Sequence, residues 1–233
     1  MDNPQVIFED DYILALNKPA GFVVNDSNTI SDAPSLQDWI DKNYDFEIAH
    51  NKMLRNGIVH RLDKPTSGII LVAKNENIFH ELQKEFFDRE VNKVYVALVH
   101  GEMQGIGEIN AKIGRLPWKR SKFGVIDNGR DALTKYKVAR SVTLSEVEGS
   151  KEYSLLELYP KTGRTHQLRV HLKHIGHPIV GDFLYAGRKV SKKDLQIFGR
   201  LMLHAKEIEF IHPVTKKKIK LETNLPKEFE KFL

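Results

Sequence analysis

The sequence predicts an α+β fold: one domain of residues 1–233, built on a mixed and mainly antiparallel β-sheet with a few flanking helices. Short alternating apolar runs recur along the chain, and turns rich in Gly, Pro and Asn separate them. Few stretches have helical periodicity. The 233 residues, 41% of them hydrophobic, are enough to bury the core of one large domain.

The first third of the chain is predicted to contain strands and two helices. Two apolar runs flank an acidic turn, a pattern typical of a β-hairpin. Two later stretches carry apolar residues at helical spacing. The predicted elements are strands at 6–8 and 12–16, a helix at 35–44, a strand ending at 58–59, a strand at 69–72 and a helix at 75–89.

The rest of the chain is predicted to be mainly strands, with one further helix. Gly176 and Pro178 predict where that helix ends. The turn His212-Pro-Val-Thr predicts a final hairpin. The predicted elements are strands at 94–99, 108–113, 133–139 and 154–159, the helix at 165–175, and hairpin strands at 201–211 and 218–222.

Composition excludes several kinds of chemistry and favours one class of partner. The chain has 36 Lys and Arg against 31 Asp and Glu, a net charge of +5, which favours a polyanionic partner. It has no cysteine, which excludes thiolate nucleophiles, disulfides and Cys-ligated metals. No signal-like or membrane-length apolar run is present, so we expect a soluble, cytoplasmic protein.

Asp63 is the first candidate for a reactive group. It lies in the segment Gly57-Ile-Val-His-Arg-Leu-Asp63-Lys-Pro-Thr-Ser-Gly68, at a bend between two apolar runs. Loops held on a rigid scaffold often carry reactive side chains, and this carboxylate is surrounded by cations. An Asx-turn at Asp63 explains the same residues. The segment alone leaves both interpretations open.

Two further segments are basic. The loop 114–130 carries five cations, among them Arg115 and Arg120, interleaved with Trp118, a composition suited to unpaired RNA or equally to a solvated loop. In the segment 162–176, Arg164 lies near a helix start, where anions are favoured. Arg169 is interpreted either as the counter-ion of a buried carboxylate or as a surface residue.

Histidines in the same segment raise the alternative of a metal site. Three imidazoles at helical spacing would suffice to bind zinc. However, no His-Glu-x-x-His pattern accompanies them, and polar packing explains them equally well, so we expect no metal. The histidines are His166, His171, His174 and His177.

Several motifs in a fixed order together resemble the RluA family of RNA pseudouridine synthases. The likeness extends from about Val6 to about Pro213. The stretches 55–63 and 113–120 look most like the branch that modifies large-subunit ribosomal RNA. The motifs are His60-Arg-Leu-Asp63, Thr66-Ser-Gly68, Lys93-Val-Tyr95-Val-Ala97, Thr162-Gly-Arg-Thr-His-Gln-Leu-Arg169-Val-His171 and Gly176-His-Pro-Ile-Val-Gly-Asp182.

The resemblance implies a role for each candidate residue. Asp63 matches the catalytic aspartate of the family, Tyr95 its active-site tyrosine and Arg169 the basic residue that pairs with the aspartate. Leu203 matches the apolar residue beneath the base, and Arg61 the arginine that helps to hold a flipped nucleotide. The other residues expected to bind substrate are His60, Arg164, Arg115 and Arg120.

The resemblance also implies an activity and its requirements. Pseudouridine formation involves no redox change and no outside group, so we expect no cofactor. The expected partner is structured RNA, most of all large-subunit ribosomal RNA, with transfer RNA or an inactive RNA-binding role as alternatives. We expect a monomer without an obligate protein partner. We expect the protein to lack the S4-type RNA-binding domain that is common in the family.

Overall fold

The structure is a computed structural model that describes residues 2–24, 34–119, 122–144 and 151–232. The chain forms two compact units. Unit 1 comprises Met1–Lys93 and Ala205–Asn224, and unit 2 comprises Val94–His204 and Leu225–Leu233. Each unit combines β-sheet with helices, which confirms the predicted α+β class. Among the described residues, no helix has the length and apolar character needed to cross a bilayer.

The described part of the chain contains strands, α-helices and two 3₁₀ helices in the following order. The strands are β1 (Gln5–Glu9), β2 (Ile13–Lys18), β3 (Ser67–Ala73), β4 (Asn92–His100), β5 (Ile106–Asn110), β6 (Ile113–Arg115), β7 (Phe123–Val125), β8 (Leu133–Leu144), β9 (Lys151–Pro160), β10 (Leu203–Ile211) and β11 (Lys218–Glu222). The α-helices are α1 (Leu36–Asn43), α2 (Glu76–Asp88), α3 (Gln167–His174) and α4 (Arg188–Phe198), and the 3₁₀ helices span Lys52–Gly57 and Lys227–Phe232.

Unit 1 is built on strands β1, β2 and β3 in that order, with the unit 1 part of β10 next to β3 and β11 paired with β10. The hairpin β1–β2 is antiparallel, as predicted. Its turn is held by Asp10, whose Oδ1 accepts hydrogen bonds from the N–H groups of Tyr12 (2.8 Å) and Ile13 (2.7 Å). Helix α2 buries Ile78, Phe79 and Leu82 in the core of the unit, each stabilising it by about 1.5–3 kcal/mol.

Gly68 is required where β3 approaches β10. Its φ is +117°, a conformation that L side chains rarely adopt. A Cβ atom at this position would lie 2.2 Å from the carbonyl oxygen of Ala205. This explains the glycine in the Thr66-Ser-Gly68 motif, because any side chain there would push the two strands apart.

Unit 2 contains an antiparallel sheet with the strand order β4–β9–β8–β5 and a small two-stranded sheet, β6–β7. In the register of β4 and β9, Tyr95 lies opposite Leu158. Helix α3 buries Leu168 and Leu172 in the same core cluster as Leu98 and Leu156. The packing of these two leucines orients α3 on the sheet.

Several elements differ from their predictions. The loop 114–130 contains the hairpin β6–β7, and residues 58–59 form only a single bridge, Ile58 to Val72, instead of the end of a strand. Helix α3 begins two residues late because His166 has left-handed backbone angles (φ 56°). Helix α4 was not predicted, since two of its three buried residues, Ser191 and Asp194, are polar.

Candidate active site

The loop that carries Asp63 lies in unit 1, immediately before β3. The main-chain carbonyl of Asp63 accepts a hydrogen bond from Thr66 N–H (3.0 Å), which closes a four-residue turn. The next carbonyl, that of Lys64, accepts one from Gly21 N–H (2.8 Å). The Asp63 side chain is half-buried and Arg61 is exposed. The loop is thus fixed by its own backbone and by the chain after β2.

Lys18 is a fully buried lysine at the base of this loop. Its ammonium donates hydrogen bonds to the carbonyl oxygens of Pro19 (3.0 Å), Phe22 (2.9 Å) and Lys64 (3.3 Å). A buried charge is tolerated only when such groups compensate for its lost hydration. Lys18 therefore links the turn after β2 to the residue that follows Asp63.

His60 has a structural function in unit 1. Its Nε2 accepts a hydrogen bond from Leu71 N–H (3.0 Å), and its ring stacks on Phe86 with 4.6 Å between centroids. Burial, with a smaller contribution from the nearby charge of Lys93, lowers the pKa of His60 to about 3. The neutral ring fastens the Asp63 loop to β3. A role for His60 in substrate binding stays a prediction.

Tyr95 and Leu203 lie in strands of unit 2. Tyr95 is half-buried in β4, and Leu203 is buried at the first position of β10. The Arg200 guanidinium fixes the approach to β10 because it donates hydrogen bonds to the carbonyl oxygens of Leu201 (3.1 Å) and Leu203 (3.3 Å). Burial lowers the pKa of Arg200, and the nearby Glu228 partly opposes this shift.

Arg169 forms a buried ion pair in unit 2, so its interpretation as a surface residue is wrong. Its Nε and Nη2 donate to the two carboxylate oxygens of Asp182, at 2.7 Å and 2.9 Å. Asp182 Oδ1 also accepts from the N–H groups of Leu184 (3.0 Å) and Tyr185 (3.2 Å). Bidentate geometry fixes the guanidinium plane. The pairing of Arg169 with Asp63 implied by the resemblance stays a prediction.

Tyr185 connects Arg169 to the hairpin β6–β7. The Arg169 guanidinium lies 5.1 Å from the centroid of the Tyr185 ring, a cation–π distance. The Tyr185 hydroxyl lies 2.9 Å from His166 Nδ1 and accepts a hydrogen bond from Phe123 N–H (3.2 Å). Lys122 donates to the carbonyl of Leu184. Sequence reasoning missed Tyr185 and did not assign Asp182, although Asp182 ends one of the quoted motifs.

Arg115 and Arg164, both predicted to bind RNA, lie in two separate segments of unit 2. Arg115 lies in β6, with its guanidinium 5.1 Å from the ring centroid of Phe123 in β7. Trp118, in the loop between these strands, is 78% exposed, so its ring is available for stacking. Arg164 donates from Nε to the carbonyl of Asp131 (3.0 Å). Arg120 lies outside the described residues.

Gln167 explains the conformation of the segment that leads into α3. Its buried Oε1 accepts hydrogen bonds from the Thr162 hydroxyl (2.7 Å) and from Arg164 N–H (3.0 Å). Its Nε2 donates to the carbonyl of Leu133 and the hydroxyl of Thr134, both at 3.0 Å. The Gln167 amide therefore holds Arg164 and the start of α3 against β8.

Three histidines of this segment, His166, His171 and His177, have separate partners within unit 2. His171 pairs with the Thr134 hydroxyl and with the carbonyl of Ala111, both at 3.0 Å, and burial lowers its pKa. His177 Nδ1 pairs with the carbonyl of His100 (2.9 Å). Within the described residues, no group of three or more His, Asp or Glu is arranged to hold a metal ion.

Comparison with known proteins identifies the family. A family model described as RNA pseudouridylate synthase matches residues 12–174. Ribosomal large subunit pseudouridine synthase D of Pseudomonas aeruginosa is 36% identical over 97% of this chain and 69% of its own length. tRNA pseudouridine synthase C of Vibrio vulnificus is 33% identical over 97% of this chain and 92% of its own length.

A solved structure agrees with these matches. Human RNA Pseudouridylate Synthase Domain Containing 1 superimposes with a TM-score of 0.72 and 29% identity, covering 96% of this chain and 84% of the human chain. The fold, the family model and the sequence identities lead to the same group of proteins. The chain therefore belongs to the RluA family of RNA pseudouridine synthases, which are isomerases of uridine in RNA.

Proposed function

We propose that this enzyme converts uridine to pseudouridine in large-subunit ribosomal RNA, and that Asp63 supplies the catalytic carboxylate. The observation that carries the substrate proposal is the 36% identity, over 97% of the chain, to a relative named as a ribosomal large subunit pseudouridine synthase. The exposed Trp118 ring and the nearby Arg115 support an RNA substrate, because they combine a stacking surface with a cation.

The reaction explains why a single carboxylate in a fixed loop is suitable. The bond between uracil N1 and ribose C1′ breaks, the base turns, C5 bonds to C1′, the C5 proton leaves, and N1 gains a proton. A carboxylate acts as a nucleophile, or stabilises positive charge at C1′, as in glycoside cleavage. The backbone hydrogen bonds at Asp63 and Lys64 would hold this group in place during the reaction.

The remaining candidate residues take the roles that the family resemblance implies. Arg169 and Tyr95 act as further catalytic residues, and the bidentate pair with Asp182 keeps the Arg169 guanidinium oriented. Leu203 provides an apolar contact for the base. Arg61 is exposed and contacts the RNA when the target uridine leaves its stack. His60 supports the loop from within unit 1.

Transfer RNA is the second candidate substrate. The observation that favours it is the match to tRNA pseudouridine synthase C, which extends over 92% of that relative. Mapping pseudouridines in total RNA from cells with and without the gene distinguishes the two substrates. We expect a site in large-subunit ribosomal RNA to be lost without the gene. If pseudouridines are lost only from transfer RNA, the substrate is transfer RNA and the proposed substrate is wrong.

The role of Asp63 is tested by substituting Asp63→Asn, which keeps the size of the side chain and removes its charge. We expect the rate of tritium release from RNA labelled at uracil C5 to fall by at least about 10³-fold, because the reactive group is lost. The matched control is Asp88→Asn, an exposed carboxylate at the end of α2 in the same unit, which should retain full activity. Appreciable turnover by Asp63→Asn, in a protein that folds and binds RNA normally, would refute the assignment.

A further inference from the structure

Helix α4 has a polar buried side and a basic outer side. Ser191, Asp194 and Phe198 are buried, at positions that share one face of a helix. The outer residues are exposed and lie at i, i+3, i+4 and i+7. They are Lys189, Lys192, Lys193 and Gln196.

The buried polar groups fix how α4 is rotated on unit 2. Asp194 Oδ2 accepts a hydrogen bond from Gly181 N–H (3.0 Å) and lies 2.9 Å from His100 Nε2. Asp194 is the sole acidic residue of the helix, and it is completely buried. The outer lysines therefore have no carboxylate on their own helix to neutralise them.

The stability of the helix does not explain these cations. Arg188 and Lys189 occupy its first turn, where the helix dipole disfavours positive charge. Among the residues that the structure describes, no carboxylate forms an ion pair with Arg188, Lys189, Lys192 or Lys193. Their positive charge is compensated by no protein group in the described ranges.

Surface lysines of unit 1 differ in this respect. Lys216, Lys218 and Lys220 lie near or in β11, and each has a carboxylate partner, at 3.5 Å from Glu81, 3.2 Å from Glu209 and 3.0 Å from Glu207.

The two units also differ in net charge. Unit 1 contains 15 Lys and Arg against 19 Asp and Glu, a net charge of −4. Unit 2 contains 21 against 12, a net charge of +9. The positive charge of the protein is therefore concentrated in unit 2.

The positive field of α4 extends to the loop between β6 and β7. Burial lowers the pKa of Lys122, and the nearby cations Lys119 and Arg188 lower it further, although Asp182 acts in the opposite direction. Arg188 at the start of α4 is thus close enough to interact electrostatically with Lys122. A polyanion that follows these residues would meet cations from two elements.

We propose that Lys189, Lys192 and Lys193 on the outer face of α4, together with the adjoining Arg188, bind the phosphate backbone of the RNA substrate outside the reacting nucleotide. This inference rests on the proposed function in taking RNA as the substrate. Contacts of lysine with phosphates carry no sequence information, so this surface contributes affinity and orientation. It would bind the stem or strand that flanks the target.

RNA fits this face better than a lipid surface does. A helix that lies on a membrane needs an apolar side to insert, but the side of α4 opposite the lysines is buried in the protein. The exposed apolar residues Val190, Leu195 and Ile197 lie at the edges of the lysine face and are 39%, 38% and 38% exposed. Gln196 lies among the lysines. The accessible centre of the face is therefore polar and cationic.

The test is the triple substitution Lys189→Gln, Lys192→Gln and Lys193→Gln, with binding to a labelled RNA hairpin of arbitrary sequence measured across a range of salt concentrations. We expect the dissociation constant at about 0.1 M salt to rise roughly tenfold or more, and the slope of log K against log salt to become shallower by about 2–3, because three phosphate contacts are lost.

The matched control is Lys216→Gln, Lys218→Gln and Lys220→Gln, which removes the same charge from unit 1 at lysines that already have carboxylate partners. Its dissociation constant and salt slope should equal those of the wild type. Equal binding by the α4 variant, or equal losses in both variants, would overturn the inference. The inference would also be overturned if the α4 variant bound RNA as the wild type does but lost binding to anionic phosphatidylglycerol vesicles.

This measurement is independent of the isomerisation assay. A wild-type protein that forms no pseudouridine in any RNA would refute the proposed function, while the comparison of the two triple variants would still report on α4. An active wild-type enzyme whose α4 variant binds RNA normally would refute the inference alone.

Discussion

At the scale of single residues, Lys18 shows how a buried side chain stabilises the Asp63 loop. A lysine in the turn Asn17-Lys-Pro-Ala-Gly21 is expected on the surface, yet Lys18 is completely buried. Two of the carbonyl groups it binds are local, those of Pro19 and Phe22, and the third belongs to Lys64, 46 residues away. The position of that third partner depends on tertiary structure, which is why the sequence did not indicate the role.

Substitution of Lys18→Met keeps much of the side-chain volume but removes the donor. We expect the free energy of unfolding to fall by about 3–5 kcal/mol, because three carbonyls, among them the buried one of Phe22, lose a charge-assisted hydrogen bond. The rate of pseudouridine formation should fall as well, since the backbone next to Asp63 is no longer held. Urea unfolding and single-turnover assays well below the melting temperature measure the two effects.

Lys42→Met, at an exposed lysine of α1 in the same unit, is the matched control and should change neither quantity. Wild-type stability of Lys18→Met would show that the carbonyls find other donors, and the structural role assigned to Lys18 would then be wrong.

The candidate site illustrates what single residues reveal in a sequence. Asp63 and Arg169 were predicted as site residues because they lie in motifs whose order resembles that of the RluA family; each residue alone left two interpretations open. Asp182 ended a quoted motif but received no role, since its carboxylate meets Arg169 only after α3 and the 182–185 turn have folded. Tyr185 was missed because tyrosines are common in cores, and nothing local predicts that its hydroxyl accepts from Phe123 N–H.

At the scale of elements, regular apolar periodicity was decisive. Strand β11 has an alternating pattern, whereas the hairpin β1–β2 consists of two short apolar runs around an acidic turn, and both were predicted with near-correct bounds. Helix α2 was predicted from its buried apolar face. Helix α4 was missed because its buried side includes a carboxylate and a hydroxyl, so its pattern lacks an apolar stripe. Elements held by polar contacts are those that periodicity does not identify.

The hairpin β6–β7 provides a prediction at this scale. Substitution of Tyr185→Phe keeps the ring, and with it the contact with Arg169, but removes the hydroxyl that joins His166 to Phe123 N–H. We expect a loss of about 1–2 kcal/mol in the free energy of unfolding, since Phe123 N–H and His166 lose their partner. Amide hydrogen exchange should accelerate at Phe123, and RNA affinity should fall because the loop of Trp118 is less ordered.

The control for this substitution is Tyr12→Phe. Within the described residues, the hydroxyl of Tyr12 takes part in no hydrogen bond, while its ring contacts His212. It should leave exchange at Phe123 unchanged. If Tyr185→Phe exchanges at Phe123 as slowly as the wild type, the hydroxyl does not fix the hairpin.

At the scale of the whole molecule, the distribution of charge could not be read along the sequence. Unit 1 is assembled from two separate segments and unit 2 from two others. The chain has a moderate net charge of +5, which combines −4 in one unit with +9 in the other. The sequence correctly indicated a polyanionic partner, but only the three-dimensional assignment of residues to units shows where such a partner is favoured.

Each unit also contains a histidine whose pKa is lowered by burial, and this gives the stability of the protein a defined pH dependence. The pKa of His60 is lowered by burial to about 3, and burial also lowers the pKa of His171. In the unfolded chain both titrate near the ordinary value of about 6.5. Below that pH the unfolded state binds protons that the folded state does not, so acidification favours unfolding.

The contribution of His60 is isolated by comparing the wild type with His60→Gln, whose side-chain carbonyl can still accept from Leu71 N–H. Stability from His60 is fully present above about pH 6.5 and is lost progressively as the pH falls towards 3, with a slope of at most about 1.4 kcal/mol per pH unit. Other groups also titrate in this range: Asp41 and Asp45 raise the pKa of His50, and burial raises that of Glu85. These contributions cancel in the difference between the two proteins. The free energy of unfolding is measured by urea unfolding at each pH. Plotted against pH, the values for the two proteins should differ by a constant amount above pH 7.5. The two plots should converge or cross between pH 6.5 and 5, because only the wild type loses stability through residue 60. If the free energies of unfolding of the two proteins differ by the same amount at every pH, His60 is protonated as readily in the folded protein as in the unfolded chain. That result would contradict its role as a hydrogen-bond acceptor.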